Sequence, residues 1–93
     1  MTPREILAAA GVALYGREWQ APLARDLGPM SPRGRGVPWG REHINRMATG
    51  ALDVPRWIVP ALPRLADLVE GRAHDAADRV RDMVAAQLGM AAE

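Results

Sequence analysis

Residues 19–28 read WQAPLARDLG and residues 40–50 read GREHINRMATG, and these two stretches decide the predicted fold. In each of them apolar side chains recur every three or four residues, which is the spacing of one face of an α-helix. The predicted inward-facing residues are Trp19, Leu23, Ala24, Leu27, Ile44, Met47 and Ala48. We therefore expect one helix over 18–27 and a second over 41–49, packed together through these faces.

The join between the two helices is expected to be a glycine turn followed by a long loop. Gly28 is predicted to adopt the left-handed conformation that glycine tolerates. The small Ala24 would let the helices cross closely, while Arg25 and Asp26 are predicted to face outward. Residues 28–40 hold too many glycines and prolines for a helix or strand of useful length, so they are predicted to form an extended, arginine-bearing loop.

Further helices are expected on both sides of this pair, because alanine is abundant and β-branched residues are sparse. The first is predicted to begin at Thr2, which forms a capping box with Glu5 and is followed by a proline suited to the first helical position. Gly16 is expected to end it.

The C-terminal half is predicted to form two helices that are separated at Gly71. Asp53 is the expected N-cap of the first of them, and Pro60 or Pro63 is expected to kink it or to mark its true start. The second is expected to run over 75–88, with apolar residues at three- and four-residue steps and a charged opposite face.

The size and composition of the chain exclude several classes of protein. Its 93 residues make one domain with a modest core, and the absence of cysteine excludes disulfides and thiolate metal sites. The apolar run near the N-terminus is too short for a signal peptide, and no stretch approaches the roughly 18 apolar residues of a membrane span. We therefore expect a soluble cytoplasmic protein with no membrane partner.

Charge is distributed unevenly along the chain. All 12 basic residues are arginine. Residues 1–72 contain 10 arginines and 7 acidic residues, whereas residues 73–93 contain 2 arginines and 4 acidic residues. This asymmetry favours a nucleic-acid-binding face in the first part and a protein-facing tail in the second.

Catalysis, metal binding and cofactor binding have little support in the sequence. There is no Ser-His-Asp pattern and no pair of carboxylates around a plausible cleft. The glycine-rich segment 34–40 lacks the strand and the Lys-Ser/Thr pair of a phosphate-binding loop. His43 has only the distant His74 as a companion for a metal ion. We expect no enzyme activity, no cofactor, no metal and no small-molecule ligand.

The run WQAPLARDLG at 19–28, followed by HINRMATG at 43–50 and DVP at 53–55, resembles the lambda-repressor-like (Cro/CI, XRE-type) helix-turn-helix DNA-binding domains. The resemblance covers about residues 4–70. It implies about five helices, binding to an operator and, usually, a dimer with two-fold symmetry. In this family the second helix of the pair is the recognition helix, which lies in the major groove of DNA.

One departure from the family concerns the segment before the recognition helix. About a dozen residues separate Gly28 from that helix, whereas the family commonly has three or four. The insertion could form an arm that follows the DNA backbone or enters a minor groove, with Arg33 and Arg35 near phosphates. Alternatively, Ser31 could begin a short distorted turn that leaves the usual geometry nearly intact, and the two arginines could be solvated loop charges.

The predicted fold class is therefore all-α: a compact helix-turn-helix bundle of about five helices with an extended Gly/Pro/Arg loop before the recognition helix. Residues 1–72 are assigned to the helix-turn-helix DNA-binding domain. Residues 73–93 are assigned to a C-terminal helix that packs on the same chain or mediates dimerisation.

The candidate binding residues fall into three groups. Base readout is assigned to Arg41, Glu42, His43 and Asn45, because arginine, asparagine and glutamate side chains match the hydrogen-bonding edges of bases. Contacts to the DNA backbone are assigned to Arg17, Gln20, Arg33, Arg35, Arg46 and Thr49. Dimerisation is assigned to Ala76, Val80, Met83, Val84 and Leu88.

The sequence predicts a sequence-specific DNA-binding transcriptional regulator. In this interpretation it is a small phage or bacterial repressor or autoregulator that binds a palindromic operator in double-stranded DNA as a homodimer, in the cytoplasm and associated with the nucleoid. The alternative is a protein–protein interaction module that reuses the same bundle, such as a phage protein or antitoxin that binds a host protein.

Overall fold

The computed structural model describes residues 1–32 and 39–89, which form helices and turns and contain no strand. The helices are α1 (Pro3–Tyr15), α2 (Gln20–Leu27), α3 (Arg41–Thr49) and α4 (Ile58–Gln87), with one 3₁₀ turn at Gly28–Met30 between α2 and α3. The predicted all-α class is confirmed. The arm predicted at Arg33 and Arg35 lies outside the described residues.

Helix α1 begins and ends where the sequence predicts. The Thr2 hydroxyl oxygen accepts a hydrogen bond from the Glu5 backbone N–H at 3.2 Å, and the Glu5 carboxylate accepts one from the Thr2 backbone N–H at 3.1 Å. This reciprocal pair is the predicted capping box, with Pro3 at the first helical position. Gly16 ends the helix with a φ of 83°, which favours glycine.

Helices α2 and α3 pack as the pattern of apolar residues predicts. Leu23, Ala24, Leu27, Ile44 and Met47 are fully buried, and Ala48 is half-buried. Leu7 of α1 joins them in one core with Ile58 and Leu65 of α4. The helices therefore meet through apolar stripes, and α3 packs on the rest of the molecule through its inner face.

Two predictions about the α2 end of this pair are wrong. Asp26 is not outward-facing: it is buried, since it follows Leu23 by three residues and therefore lies on the edge of the inner face. Gly28 is not left-handed: it has φ −50° and ψ −51° because the chain continues into the 3₁₀ turn. Helix α2 also begins at Gln20, two residues later than predicted, after Trp19.

The C-terminal half contains one long helix rather than two. Helix α4 is 30 residues long and passes through both Gly71 and residue 75 without a break. It begins at Ile58 rather than after Asp53, because Val54 and Trp57 pack against the core before the helix starts. Pro60 lies in the first turn, where its missing N–H costs little, and Pro63 lies inside the helix on an exposed position.

The shape of the molecule does not support the expected compact bundle, and the expected number of helices is wrong. The Cα radius of gyration is 16.8 Å, whereas about 12 Å is typical of a compact domain of this length. The molecule measures 57 × 26 × 21 Å because α4 extends beyond the core, and its buried residues all precede residue 66. None of the described helices is long and apolar enough to cross a membrane.

Candidate nucleic-acid interface

The outward face of α3 presents three of the predicted base-reading residues together. Arg41, Glu42 and Asn45 are exposed and line one shallow depression on the first turns of the helix. Two of the predicted backbone-contacting residues, Arg46 and Thr49, are also exposed, and they lie farther along the helix. The structure therefore brings guanidinium, carboxylate and amide groups to one accessible surface.

Helix α2 fixes this surface in place. The Ala24 side chain is fully buried, and its carbonyl oxygen accepts a hydrogen bond from the Trp39 backbone N–H at 3.2 Å, two residues before α3 begins. The inner face of α3 is anchored at Ile44 and Met47, both fully buried. Because rigid support on one side and full exposure on the other are what a recognition helix needs, the arrangement meets the steric requirement for groove binding.

The start of α2 adjoins the start of α3. Gln20 and Arg41 line the same depression, together with Glu18 at its edge. Arg17 is exposed in the turn that precedes α2. The predicted backbone contact Gln20 thus lies beside the predicted base-reading residue Arg41, although the two are more than 20 positions apart in the sequence.

Backbone N–H groups at both helix starts have no side-chain cap. The residue before α3 is Gly40 and the residue before α2 is Trp19, and neither makes a side-chain hydrogen bond to the helix end. The first N–H groups of a helix can donate to an anion such as phosphate, and the helix dipole favours negative charge there. At the other end of α3, the Thr49 hydroxyl donates to the Arg46 carbonyl oxygen at 3.3 Å.

His43 lies apart from the other predicted base-reading residues. It is half-buried, and its ring centroid is 4.5 Å from that of Trp39. Trp39 in turn contacts Trp57 at 5.4 Å with an edge-to-face geometry. Trp39 is itself half-buried and packs against the core. The His43 ring therefore supports the aromatic contact that holds the start of α3.

A buried carboxylate, predicted from the sequence to lie on the outside of α2, joins three helices. Asp26 accepts hydrogen bonds from the Tyr15 hydroxyl at 2.8 Å, from Arg72 Nη1 at 2.8 and 2.9 Å, and from Arg25 Nε at 3.0 Å. Burial raises the pKa of Asp26, but the hydrogen bonds from Arg25, Arg72 and Tyr15 outweigh it and lower the pKa to about 2. Asp26 is therefore ionised at neutral pH and links α1, α2 and α4.

The Tyr15 hydroxyl is held protonated by the same cluster. Burial, together with the hydrogen bond to the Asp26 carboxylate, raises the pKa of Tyr15 well above its usual value. The helical spacing of Asp26 from Leu23 could have indicated its burial. The identity of Arg72 as a partner, 46 residues away, could not be inferred from local pattern.

The predicted dimerisation residues are all uncovered. Val80, Met83, Val84 and Leu88 are between 50% and 68% exposed, and Ala76 is also exposed. The described part of the chain has no group of three or more His, Asp or Glu side chains placed to hold a metal ion.

Comparison with known proteins gives no further guide, since the chain matches no protein family, no curated protein and no solved structure.

Proposed function

We propose that this protein is a sequence-specific DNA-binding regulator in which α2 and α3 form a helix-turn-helix unit and α3 reads the major groove. The observation that carries the proposal is the joint exposure of Arg41, Glu42 and Asn45 on the first turns of a helix whose opposite face is fully buried. The first residues of a recognition helix are the ones that meet base edges in this class of protein.

The side chains on this surface suit base recognition. The Arg41 guanidinium can donate two hydrogen bonds to a guanine, the Asn45 amide can pair with an adenine, and the Glu42 carboxylate can accept from a cytosine amino group. The half-buried His43 packs on Trp39, which supports a role in positioning the start of α3, and its assignment to base readout rests on the sequence alone.

Contacts to phosphate would surround this reading surface. Gln20 lies beside Arg41 at the start of α3, and Arg46 and Thr49 are exposed farther along the helix. Arg17 is exposed in the turn before α2 and is assigned to the same role from the sequence. Uncapped N–H groups at the start of α2 and α3 add donors for phosphate oxygens. Arg33 and Arg35 are assigned to the same role on their sequence alone.

The proposed biological role is that of a small phage or bacterial repressor or autoregulator. Such a protein would bind a palindromic operator in double-stranded DNA as a homodimer, associated with the nucleoid, and would block a promoter by occupying it. Two-fold symmetry of the dimer would place the half-sites about 34 Å, or one DNA turn, apart.

A protein-binding module is the second candidate. The described part of the α2–α3 surface carries Arg17, Arg41 and Arg46 against Glu18 and Glu42, so its positive excess is small. A nearly balanced surface suits a protein partner as well as DNA, because DNA affinity depends strongly on neutralising phosphate charge.

Selection from a pool of random duplexes, followed by fluorescence anisotropy on the enriched sequence, tests the proposal. We expect Arg41→Ala and Asn45→Ala each to cost on the order of 1–3 kcal/mol of binding at particular base pairs. The matched control is Arg64→Ala, an exposed arginine on α4 that is outside the proposed surface. Failure of the wild-type protein to enrich any sequence would reject DNA readout and leave the protein-binding candidate.

A further inference from the structure

One apolar stripe runs along the whole of α4, but only its first half is covered. The stripe residues recur at three- and four-residue steps and therefore share one side of the helix. They are Leu62, Leu65, Ala66, Val69, Ala73, Ala76, Ala77, Val80, Met83, Val84 and Leu88. Leu62 and Leu65 are buried in the core, whereas no residue of the stripe after them is buried.

A groove with an apolar lining lies beside the covered half of α4. It is formed between α1 and α4, has a volume of about 450 Å³, and is lined by Ile6, Ala10 and Leu14 together with Leu62, Pro63 and Ala66. The small alanines at its floor leave room for another side chain. The groove faces the same side of α4 as the exposed stripe, because Leu62 and Ala66 belong to both.

The exposed half of α4 needs a partner. Most of the stability of a helix in a protein comes from packing of its apolar face rather than from helix propensity, and this half of α4 has no such packing within one copy. Met83 is 66% exposed and Leu88 is 68% exposed, next to Val80 and Val84. A contiguous apolar patch of this kind on a small protein marks an interaction surface.

We propose that a second copy of this chain covers the stripe, with the two α4 helices antiparallel and crossing near Ala76. In this arrangement Val84 and Leu88 of each copy enter the groove between α1 and α4 of the other. The exposed part of the stripe and the groove lie on the same side of α4. A two-fold rotation therefore places the exposed part of one copy over the groove of the other copy, and the same contact forms a second time in the reverse direction. The surface is therefore complementary to itself.

Charges at the border of the stripe favour this direction and register. Glu70 and Arg81 lie on the same border of the stripe as the groove, one on each side of residue 76. In an antiparallel pair crossing near Ala76, Glu70 of one copy lies opposite Arg81 of the other, twice in each dimer. Arg81 is exposed and contacts Asp78 of its own copy at 3.1 Å, and Glu70 of the other copy would add a second carboxylate beside it. On the opposite border, Arg72 meets Arg79, and this like-charge contact is only partly offset, because Arg72 shares the Asp26 carboxylate with Arg25.

This inference gives the dimer of the proposed function a structure, but it does not depend on DNA binding. The experiments below contain no DNA. An intact dimer that binds no DNA would contradict the proposed function alone, whereas a monomer that binds DNA would contradict the dimer alone.

The mass of the wild-type protein in solution is the first test. Sedimentation equilibrium should give twice the 10.1 kDa mass of the chain at micromolar concentration. Val84→Asp should raise the dimer dissociation constant by at least a hundredfold while leaving the helical circular dichroism of the core intact, because Val84 contacts nothing in the buried core of one copy. A wild-type protein that is monomeric, or a Val84→Asp protein that stays dimeric, would overturn the proposal.

Ala86→Asp is the matched control. It adds the same charge two residues farther along α4, outside the stripe and at another exposed position. We expect its dissociation constant to stay within about threefold of the wild type. Equal weakening by both substitutions would mean that the stripe is not the interface.

Cysteine cross-linking distinguishes antiparallel from parallel pairing. The natural chain has no cysteine, so each introduced thiol can pair only with its counterpart in another copy. Ala76→Cys lies close to the two-fold axis and should form a disulfide-linked dimer readily under mild oxidation. Val84→Cys should not, since its counterpart is about 25 Å away at 1.5 Å per residue. Efficient cross-linking at both positions would indicate parallel helices and reject the proposal.

Mixing of charge variants tests the register. Glu70→Arg and Arg81→Glu should each weaken their own homodimer by roughly threefold to tenfold. When the two variants are mixed, the heterodimer contains one reversed pair and one natural pair, so it should form in preference to either homodimer. Random association in the mixture would show that these residues do not meet.

Discussion

At the scale of single residues, the close approach of Trp19 to Gly11 explains why a helix-weakening residue lies in the middle of α1. Gly11 is buried, and a Cβ built at this position overlaps ring carbons of Trp19, with Trp19 Cδ2 only 2.6 Å away. The absence of a side chain therefore lets the buried indole lie flat on the helix. The gain from packing the indole outweighs the roughly 1 kcal/mol that glycine costs a helix.

Gly11→Ala is expected to destabilise the protein despite the better helix propensity of alanine. The overlap with Trp19 should cost about 1–3 kcal/mol, more than the propensity gain. Urea unfolding followed by circular dichroism at fixed protein concentration measures the net change. A more stable variant would mean that Trp19 can move away at little cost.

Asp26 is expected to make the protein sensitive to acid. Its pKa is about 2 in the folded protein and near the ordinary 3.8 when the chain is unfolded. The folded state therefore favours the ionised form, and this contribution is fully present above pH 4 and is lost as the pH falls from 4 toward 2. The loss should be about 2 kcal/mol of unfolding free energy over that interval.

Asp26→Asn provides the comparison. The variant should be less stable at pH 7 by about 1–3 kcal/mol, because a buried acceptor of charged hydrogen bonds is lost. Its stability should also fall less steeply between pH 4 and 2 than that of the wild type. The exposed Asp67→Asn is the control. Parallel stability curves for wild type and Asp26→Asn would contradict the lowered pKa.

At the scale of elements, continuity of α4 is the main departure from the sequence prediction. A glycine at position 71 is the residue expected to end a helix. It does not end this one, since the residues on both sides continue the same apolar stripe and form a helix that is bonded throughout. The penalty of one exposed glycine, about 1 kcal/mol, is too small to interrupt a 30-residue helix.

Gly71→Ala is expected to stabilise the protein by about 0.5–1 kcal/mol. A Cβ at this position meets nothing within 4 Å, and α4 is regular there, so only the propensity gain remains. Thermal unfolding of Gly71→Ala and Gly11→Ala under the same conditions checks this prediction. Gly71→Ala should raise the melting temperature, whereas Gly11→Ala should lower it. A destabilised Gly71→Ala protein would indicate that α4 breaks at this residue in solution.

At the scale of the whole molecule, α4 connects the two proposed activities. Its first half packs on the core that holds α3, and its second half carries the proposed dimer stripe. The Asp26–Arg72 ion pair, with a 2.8 Å separation, lies between these two halves and ties α4 to α2. The orientation of α4 relative to α2 would therefore set the spacing of the two recognition helices in a dimer.

The affinity for DNA should depend steeply on salt if the surface binds as proposed. Each arginine that contacts a phosphate adds about 0.9 to the slope of log affinity against log salt. Arg46→Ala should therefore reduce the slope by about two per dimer, one contact from each copy. Arg64→Ala, an exposed arginine on α4 outside both the reading surface and the dimer stripe, should leave it unchanged. Equal slopes for wild type and Arg46→Ala would mean that Arg46 does not contact a phosphate.

Sequence pattern was enough to predict the helical class, the limits of α1 and α3, and the apolar faces of α2 and α3. These features depend on caps, on turn residues and on the 3.6-residue period, all of which act between residues close together in the chain. It also predicted the exposure of Arg41, Glu42 and Asn45, because they lie off the apolar stripe of their own helix.

Four features emerge only from the three-dimensional packing: the pairing of Asp26 with Arg72, the fit of Trp19 on Gly11, the place of His43 against Trp39 and the unbroken course of α4. Each of these depends on contacts between distant segments, or on a balance between a local penalty of about 1 kcal/mol and the packing of a whole helix. The local sequence pattern shows neither which distant residue takes part in such a contact nor how much the contact contributes to the stability of the fold.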